Sequence, residues 1–258
     1  MSAIEDLQRT MARLRGPNGC PWDQEQTHAS LVRCLIDEVS ELIDTIDRND
    51  LPHMREELGD VLIQVVFHAC LAEEAGQFNF DDVARDINEK LIRRHPHVFG
   101  DVQANNAEEA LASLAKLKAK EKAEKGKKGA LDGIPRSAPA LVRAMRAGEK
   151  AGAVGFDWPD VAGVRDKVNE ELAEFDEACA NKDRKAMSDE LGDLLFAVTN
   201  LARKLDLDAE HALREATDRF GRRFRHMEER LEADGRTVKS ATPEEQNTLW
   251  EEAKKAGV

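Results

Sequence analysis

Two sets of four carboxylates are the residues whose types and spacing could do chemistry. Glu38, Glu41, Glu57 and Asp60 form the first set, and Glu171, Glu174, Glu190 and Asp193 form the second, with identical internal spacing. In a helix, residues three apart share a face, so each set reads as two carboxylate pairs, Glu-x-x-Glu and Glu-x-x-Asp. Four carboxylates brought together repel one another and take up protons unless a cation compensates them. All-oxygen ligands with no cysteine and no clustered histidine favour Mg²⁺, or else Mn²⁺, over zinc, and Mg²⁺ commonly shares its shell with substrate phosphates. A single Glu-x-x-Glu ordinarily marks a solvated helix face. What argues for a metal site is the recurrence of the whole arrangement beside apolar runs such as Leu194-Leu-Phe-Ala-Val198.

The turns between the pairs decide whether they meet. Arg48-Asn-Asp-Leu-Pro52 lies midway between Glu38 and Asp60, so an antiparallel helical hairpin turning there sets Glu38 against Asp60 and Glu41 against Glu57. Asn181-Lys-Asp183 does the same for Glu171 with Asp193 and Glu174 with Glu190. The likeness continues from Asn88-Glu-Lys-Leu-Ile-Arg-Arg-His95 to Thr217-Asp-Arg-Phe-Gly-Arg-Arg-Phe224, and a tryptophan precedes each hairpin, Trp22 and Trp158. Self-similarity on this scale points to two homologous domains.

Apolar residues recur every three or four positions almost throughout, as in Leu58, Val61, Leu62, Val65 and Val66, and no strand pattern competes with them. Breakers at Gly16-Pro-Asn-Gly19, Asn49 to Pro52, Gly76, Pro96 and Gly100 cut the first half into about five helices. The expected architecture is all-α, two tandem helical-bundle modules over residues 1–130 and 131–258. Between them Lys116 to Lys128 carries seven lysines, a run that reads as a solvated helix end passing into a linker.

A net charge of −13 argues against general binding to nucleic acid or an acidic membrane, and leaves an anionic substrate in need of a metal or a local basic patch. The first residues carry no basic stretch followed by an apolar run, no apolar stretch is long enough to span a bilayer, and the expected location is the cytoplasm. Cys20, Cys34, Cys70 and Cys179 have no metal or disulfide spacing and are expected reduced, Cys34 and Cys70 in the core. Glu25-x-x-His28 is a lone pair of its kind, where a di-iron bundle wants two.

The chain resembles the MazG family of nucleoside triphosphate pyrophosphohydrolases. The segments that carry the resemblance are Gly19-Cys-Pro-Trp-Asp23 with Gln26-Thr27, both acidic quartets, Arg93-Arg-His-Pro-His-Val-Phe99, Asp132-Gly-Ile-Pro-Arg136, Val154-Gly-Phe-Asp-Trp158 and Glu190-Leu-Gly-Asp-Leu-Leu-Phe196. The resemblance implies an all-α dimeric enzyme that cuts nucleoside triphosphates between the α and β phosphates, releasing monophosphate and pyrophosphate. It further implies that hydrolysis belongs to the C-terminal module, with the N-terminal one serving assembly or regulation. On that basis Glu171, Glu174, Glu190 and Asp193 are the metal ligands, with Glu38, Glu41, Glu57 and Asp60 as a second possible site. Lys167, Glu170, Arg219, Arg223 and Trp250 map to substrate contacts. Arg219 stands where relatives often carry a lysine, exchanging a point charge for a planar fork.

The residues lean the same way. The second repeat alone ends in a helix bearing a tryptophan and lysines, Leu249-Trp-Glu-Glu-Ala-Lys-Lys255, and Trp250 could stack on a base or simply pack. Arg219 and Arg223 share a helix face, where they could meet phosphate or pair with Glu215 or Glu228. Metal-assisted attack by water at the α-phosphorus follows, with Glu174 or Glu190, the pair nearer the turn, taking the proton. The competing reading is a non-catalytic acidic scaffold that binds a basic partner.

Overall fold

The computed structural model describes residues 2–100, 104–124 and 129–258. Every regular element among them is helical, and none is long and apolar enough to cross a membrane. Contacts group the chain into two units, Met1–Lys122 and Ala123–Val258. Part of the lysine run, including Lys125, Lys127 and Lys128, lies outside the described residues.

The first unit opens with α1 (Ala3–Arg15), whose start is set by a reciprocal cap: the Glu5 amide donates to the Ser2 hydroxyl and the Ser2 amide to the Glu5 carboxylate. The short α2 (Pro21–Glu25) follows a tight corner at Gly19, where a β-carbon would stand 2.1 Å from the Leu14 carbonyl oxygen. Glycine alone fits there. The long hairpin is α3 (Val32–Asp47) and α4 (Leu51–Glu74), broken by Asn49 in the left-handed conformation and restarted by Asp50, which caps the His53 amide. Then come α5 (Phe80–Arg94), α6 (Pro96–Phe99) and α7 (Ala107–Glu124). Met11, Leu31, Val66 and Phe67 form the buried core, which joins α1 to the hairpin and is flanked by Cys70. Arg15 ties this corner together, donating twice to Glu74 at 2.7 Å, stacking over the Phe67 ring and reaching the Asp23 carbonyl. All four cysteines are free; Cys70 packs against the core, whereas Cys34 is only half-buried.

The second unit repeats the hairpin. After α8 (Ala140–Gly152) come α9 (Val161–Asn181) and α10 (Arg184–Lys204), separated by Lys182 at φ 57° and capped by Asp183. Gly148 lets α8 lie against α10, since a β-carbon there would sit 2.1 Å from the Asn200 amide oxygen. The Asp157-Trp158 corner is clamped onto the end of α10. Arg203 grips Asp157 with two bonds of 2.6 and 3.1 Å, and Lys204 bridges Asp157 and the Trp158 carbonyl. These cations hold the Asp157 carboxyl well below the usual carboxylate range. α11 (Ala209–Ala233) and α12 (Pro243–Lys255), joined through a 3₁₀ turn at Val238–Ser240, pack on Met227, Leu231 and Ala241.

The apolar run beside the second quartet is largely open: Leu195, Phe196 and Val198 are exposed in the single chain, and only Ala197 of that stretch is buried. Leu191, Leu195 and Val198 form a stripe at helical spacing on α10, and Leu58, Leu62 and Val65 form its counterpart on α4; all six are more than a third exposed. A hairpin of two helices has two broad faces, and its own unit covers only one of them.

Candidate metal centre and its surroundings

The hairpins bring three carboxylates of each quartet together. In the second unit one oxygen each from Glu171, Glu174 and Glu190 lies within 4.8 Å of the others, and in the first unit Glu38, Glu41 and Glu57 do the same. Oxygens around an octahedral Mg²⁺ lie roughly 3 to 4 Å apart, since each sits about 2.1 Å from the ion. A spread of 4.8 Å therefore needs only small rotamer adjustments to fit. Asp193 and Asp60 stay outside these triplets; Asp193 is exposed, one helical turn beyond Glu190.

Charge crowding is visible in the carboxyls themselves. Burial first, then Asp60, Glu41 and Glu57, push the Glu38 carboxyl up. Glu57 is raised by burial and then by Glu41 and Asp60, and its Oε2 is buried without a hydrogen-bond partner. In the second unit Glu174 is raised by burial, Glu171 and Glu190. A buried carboxylate oxygen left unsatisfied beside like charges is what a cation would relieve, so the donor sets fit a hard divalent ion.

The two triplets differ in their partners. Lys167, one turn before Glu171 on α9, donates to Glu170 at 2.8 Å and pairs with Glu171 at 2.7 Å, and Glu171 is 5% exposed. The pairing holds the Lys167 ammonium well above its ordinary range. At the matching place on α3 stands Cys34, and among the described residues no lysine or arginine pairs with Glu38, Glu41 or Glu57.

The remaining expected substrate contacts sit on α11 and α12. Arg219 lies 3.8 Å from Glu215, the surface partner weighed for it. The Arg223 Nε donates to the Val258 carbonyl at 2.9 Å, and its guanidinium lies 5.9 Å from the Trp250 ring centre. Trp250 also packs on Phe220, with ring centres 5.2 Å apart. Arg223 and Trp250 thus form one cation and aromatic face, while no hydrogen bond or ion pair joins Arg219 or Arg223 to the acidic triplet. A cleft lies elsewhere in this unit, between α11 and the 3₁₀ turn, lined by Phe224, Glu228, Arg236 and Val238. His28, considered with Glu25 for iron, instead meets His68, Nδ1 to Nδ1 at 2.8 Å.

Two features escaped the sequence reading. Glu121 takes four hydrogen bonds from Arg93 and Arg94, and the Asp157 clamp fixes the corner that leads into α9. Both are pairings distant in sequence, and no local spacing announces them. Lys167, given by the sequence only as a substrate contact that the resemblance implies, bonds Glu171 as an i,i+4 pair.

Helical hairpins that converge carboxylates, made twice in one chain, define the class of this protein as an all-α tandem-hairpin domain pair. The sequence model of the MazG nucleotide pyrophosphohydrolase domain matches this chain at residues 26–99 and again at 162–228. The chain is 45% identical over 258 residues to a nucleoside triphosphate pyrophosphohydrolase of Escherichia coli, covering 99% of this chain and 98% of that one. It is 48% identical over 251 residues to the nucleoside triphosphate pyrophosphohydrolase/pyrophosphatase MazG of Thermotoga maritima, covering 97% and 95%. This chain belongs to the MazG nucleotide pyrophosphohydrolase family and is an enzyme of that class.

Proposed function

We propose that this chain is a Mg²⁺-dependent nucleoside triphosphate pyrophosphohydrolase of the cytoplasm, working chiefly through its C-terminal module. The observation that carries the reading is the Glu171, Glu174 and Glu190 triplet with Lys167 against it. Glu171, Glu174, Glu190 and Asp193 are the carboxylates that would hold the ion, with whichever of Glu174 and Glu190 is left free of it acting as base. When bound, Mg²⁺ or Mn²⁺ supplies charge neutralisation and Lewis acidity toward the phosphoryl group. Lys167 restrains the buried Glu171 carboxylate and, with Glu170, borders the substrate. Glu174 or Glu190 takes the proton of the attacking water. Arg219 and Arg223 meet the β and γ phosphates, and Trp250 offers its ring to the base. The N-terminal module, with Glu38, Glu41, Glu57 and Asp60, serves assembly or regulation.

Neutralising the departing group at its β and γ oxygens favours pyrophosphate leaving whole. The P-loop signature that cradles β and γ phosphates is absent from the sequence. Products should be monophosphate and pyrophosphate, and hydrolysis in ¹⁸O-water should place the label in the monophosphate. Diphosphate as first product, or label confined to pyrophosphate, would mean attack at β or γ.

The functional unit is proposed to be a homodimer. The exposed stripes of α4 and α10 match the apolar edge a second hairpin would cover, making a four-helix bundle from two two-helix halves. Sedimentation velocity should give twice the chain mass, and Leu195→Glu with Leu191→Glu should shift it to the monomer. A monomeric unsubstituted chain would reject the dimer.

A further inference from the structure

Repeat symmetry places α5 of the first unit where α11 stands in the second, so that Lys90, Arg93 and Arg94 correspond to Arg219, Arg222 and Arg223. In the second unit Arg223 faces Trp250 and donates to a backbone carbonyl. In the first unit the corresponding arginine is closed off by a carboxylate. Arg93 donates to Oε1 of Glu121 through Nε at 3.0 Å and Nη2 at 2.8 Å, and Arg94 donates to Oε2 through Nε at 3.1 Å and Nη2 at 2.5 Å. Each guanidinium closes on one oxygen of the same carboxylate, and two arginines converging on the separate oxygens of one anionic group also suit a phosphate. Glu121 reaches this position from α7, a helix distant in sequence, and its side chain is 17% exposed.

We propose that Arg93 and Arg94 form a polyphosphate-binding site of the N-terminal module that Glu121 occupies as an internal phosphate mimic, so that this module is latched against its ligand. The inference rests on the phosphate role proposed above for Arg223. Charge supports it: two guanidiniums against one carboxylate leave an excess positive charge, which a polyphosphate tail would neutralise more completely. The two arginines hold the Glu121 carboxyl down at about 2, so the mimic stays anionic at any physiological pH. A tethered carboxylate competes at high effective concentration, and a free ligand must displace it. The acidic triplet of this module, without a lysine partner, would then receive its cation together with the polyphosphate rather than before it.

The test uses inorganic tripolyphosphate with Mg²⁺ as probe, titrated by calorimetry into the full chain carrying Arg219→Ala and Arg223→Ala, so that the second module contributes neither arginine. Adding Glu121→Ala should tighten binding about tenfold, with one site per chain, and adding Arg94→Ala should abolish the gain. Glu121→Gln, which keeps the side-chain shape, should give a gain in the same direction with unchanged circular dichroism, separating loss of charge from loss of α7. Absence of any gain with both Glu121 variants, or a gain that survives Arg94→Ala, overturns the latch. Turnover of Arg223→Ala is measured alongside: undiminished turnover would defeat the role of Arg223 in the second module, while the titration still reports on Arg93 and Arg94 directly.

Discussion

Glu171→Gln, Glu174→Gln, Glu190→Gln and Asp193→Asn are each expected to lower nucleotide turnover at least about 100-fold while leaving the helical circular dichroism unchanged. The amide keeps the shape of each side chain and removes the charge that a hard cation requires. Folding should tolerate the change, because relieving repulsion within the triplet offsets the loss of polar pairing: Glu174 is held up first by burial and then by Glu171 and Glu190, and the latter contributions fall away when either is neutralised. The chelator EDTA should abolish turnover of the unsubstituted chain, and Mg²⁺ or Mn²⁺ should restore it. Asp193→Asn is the most informative of the four, since the carboxylate lies outside the triplet before an ion arrives. Full activity in that variant would confine the centre to three ligands, and full activity in all four would remove the metal reading of this module.

Much of this arrangement was legible because it is local or periodic. The hairpins follow from heptad-like apolar spacing and from Asn49 and Lys182, which break the helices with positive φ just before the capping residues Asp50 and Asp183. The meeting of Glu41 with Glu57 follows from where those turns fall. What was not legible depends on contacts with no sequence period. The exposure of Leu195 and Val198 could not be read from their neighbours, because an apolar stripe at helical spacing looks the same whether or not its own chain covers it. The grip of Arg93 and Arg94 on Glu121 joins α5 to α7, and Glu121 lies in a lysine run that reads as a solvated helix end. The separation of Asp193 from its triplet depends on rotamers, which spacing cannot set.

One exchange that sets the repeats apart is Lys167 in the second hairpin for Cys34 in the first, and Lys167→Met should therefore be far more damaging than Cys34→Ala. Glu171 is 5% exposed and its described cation is Lys167 at 2.7 Å. Removing one partner of a buried ion pair leaves an uncompensated charge, which is costly, and the carboxylate then escapes the cost by taking up a proton or turning toward solvent. Either response spoils its use as a ligand. Lys167→Met should thus lower turnover about 100-fold and raise the Mg²⁺ concentration needed for half-maximal activity, with partial rescue in Lys167→Arg, which restores charge with a different donor geometry. Cys34→Ala removes a half-buried thiol with no ionic partner and should stay within about 2-fold of the parent activity. A Mg²⁺ titration of all three variants separates the causes: a lysine acting only on substrate would raise KM for the nucleotide and leave the Mg²⁺ requirement where it was. Equal losses from Lys167→Met and Cys34→Ala would show that the two hairpins share the work, and the assignment of hydrolysis to the C-terminal module would fail.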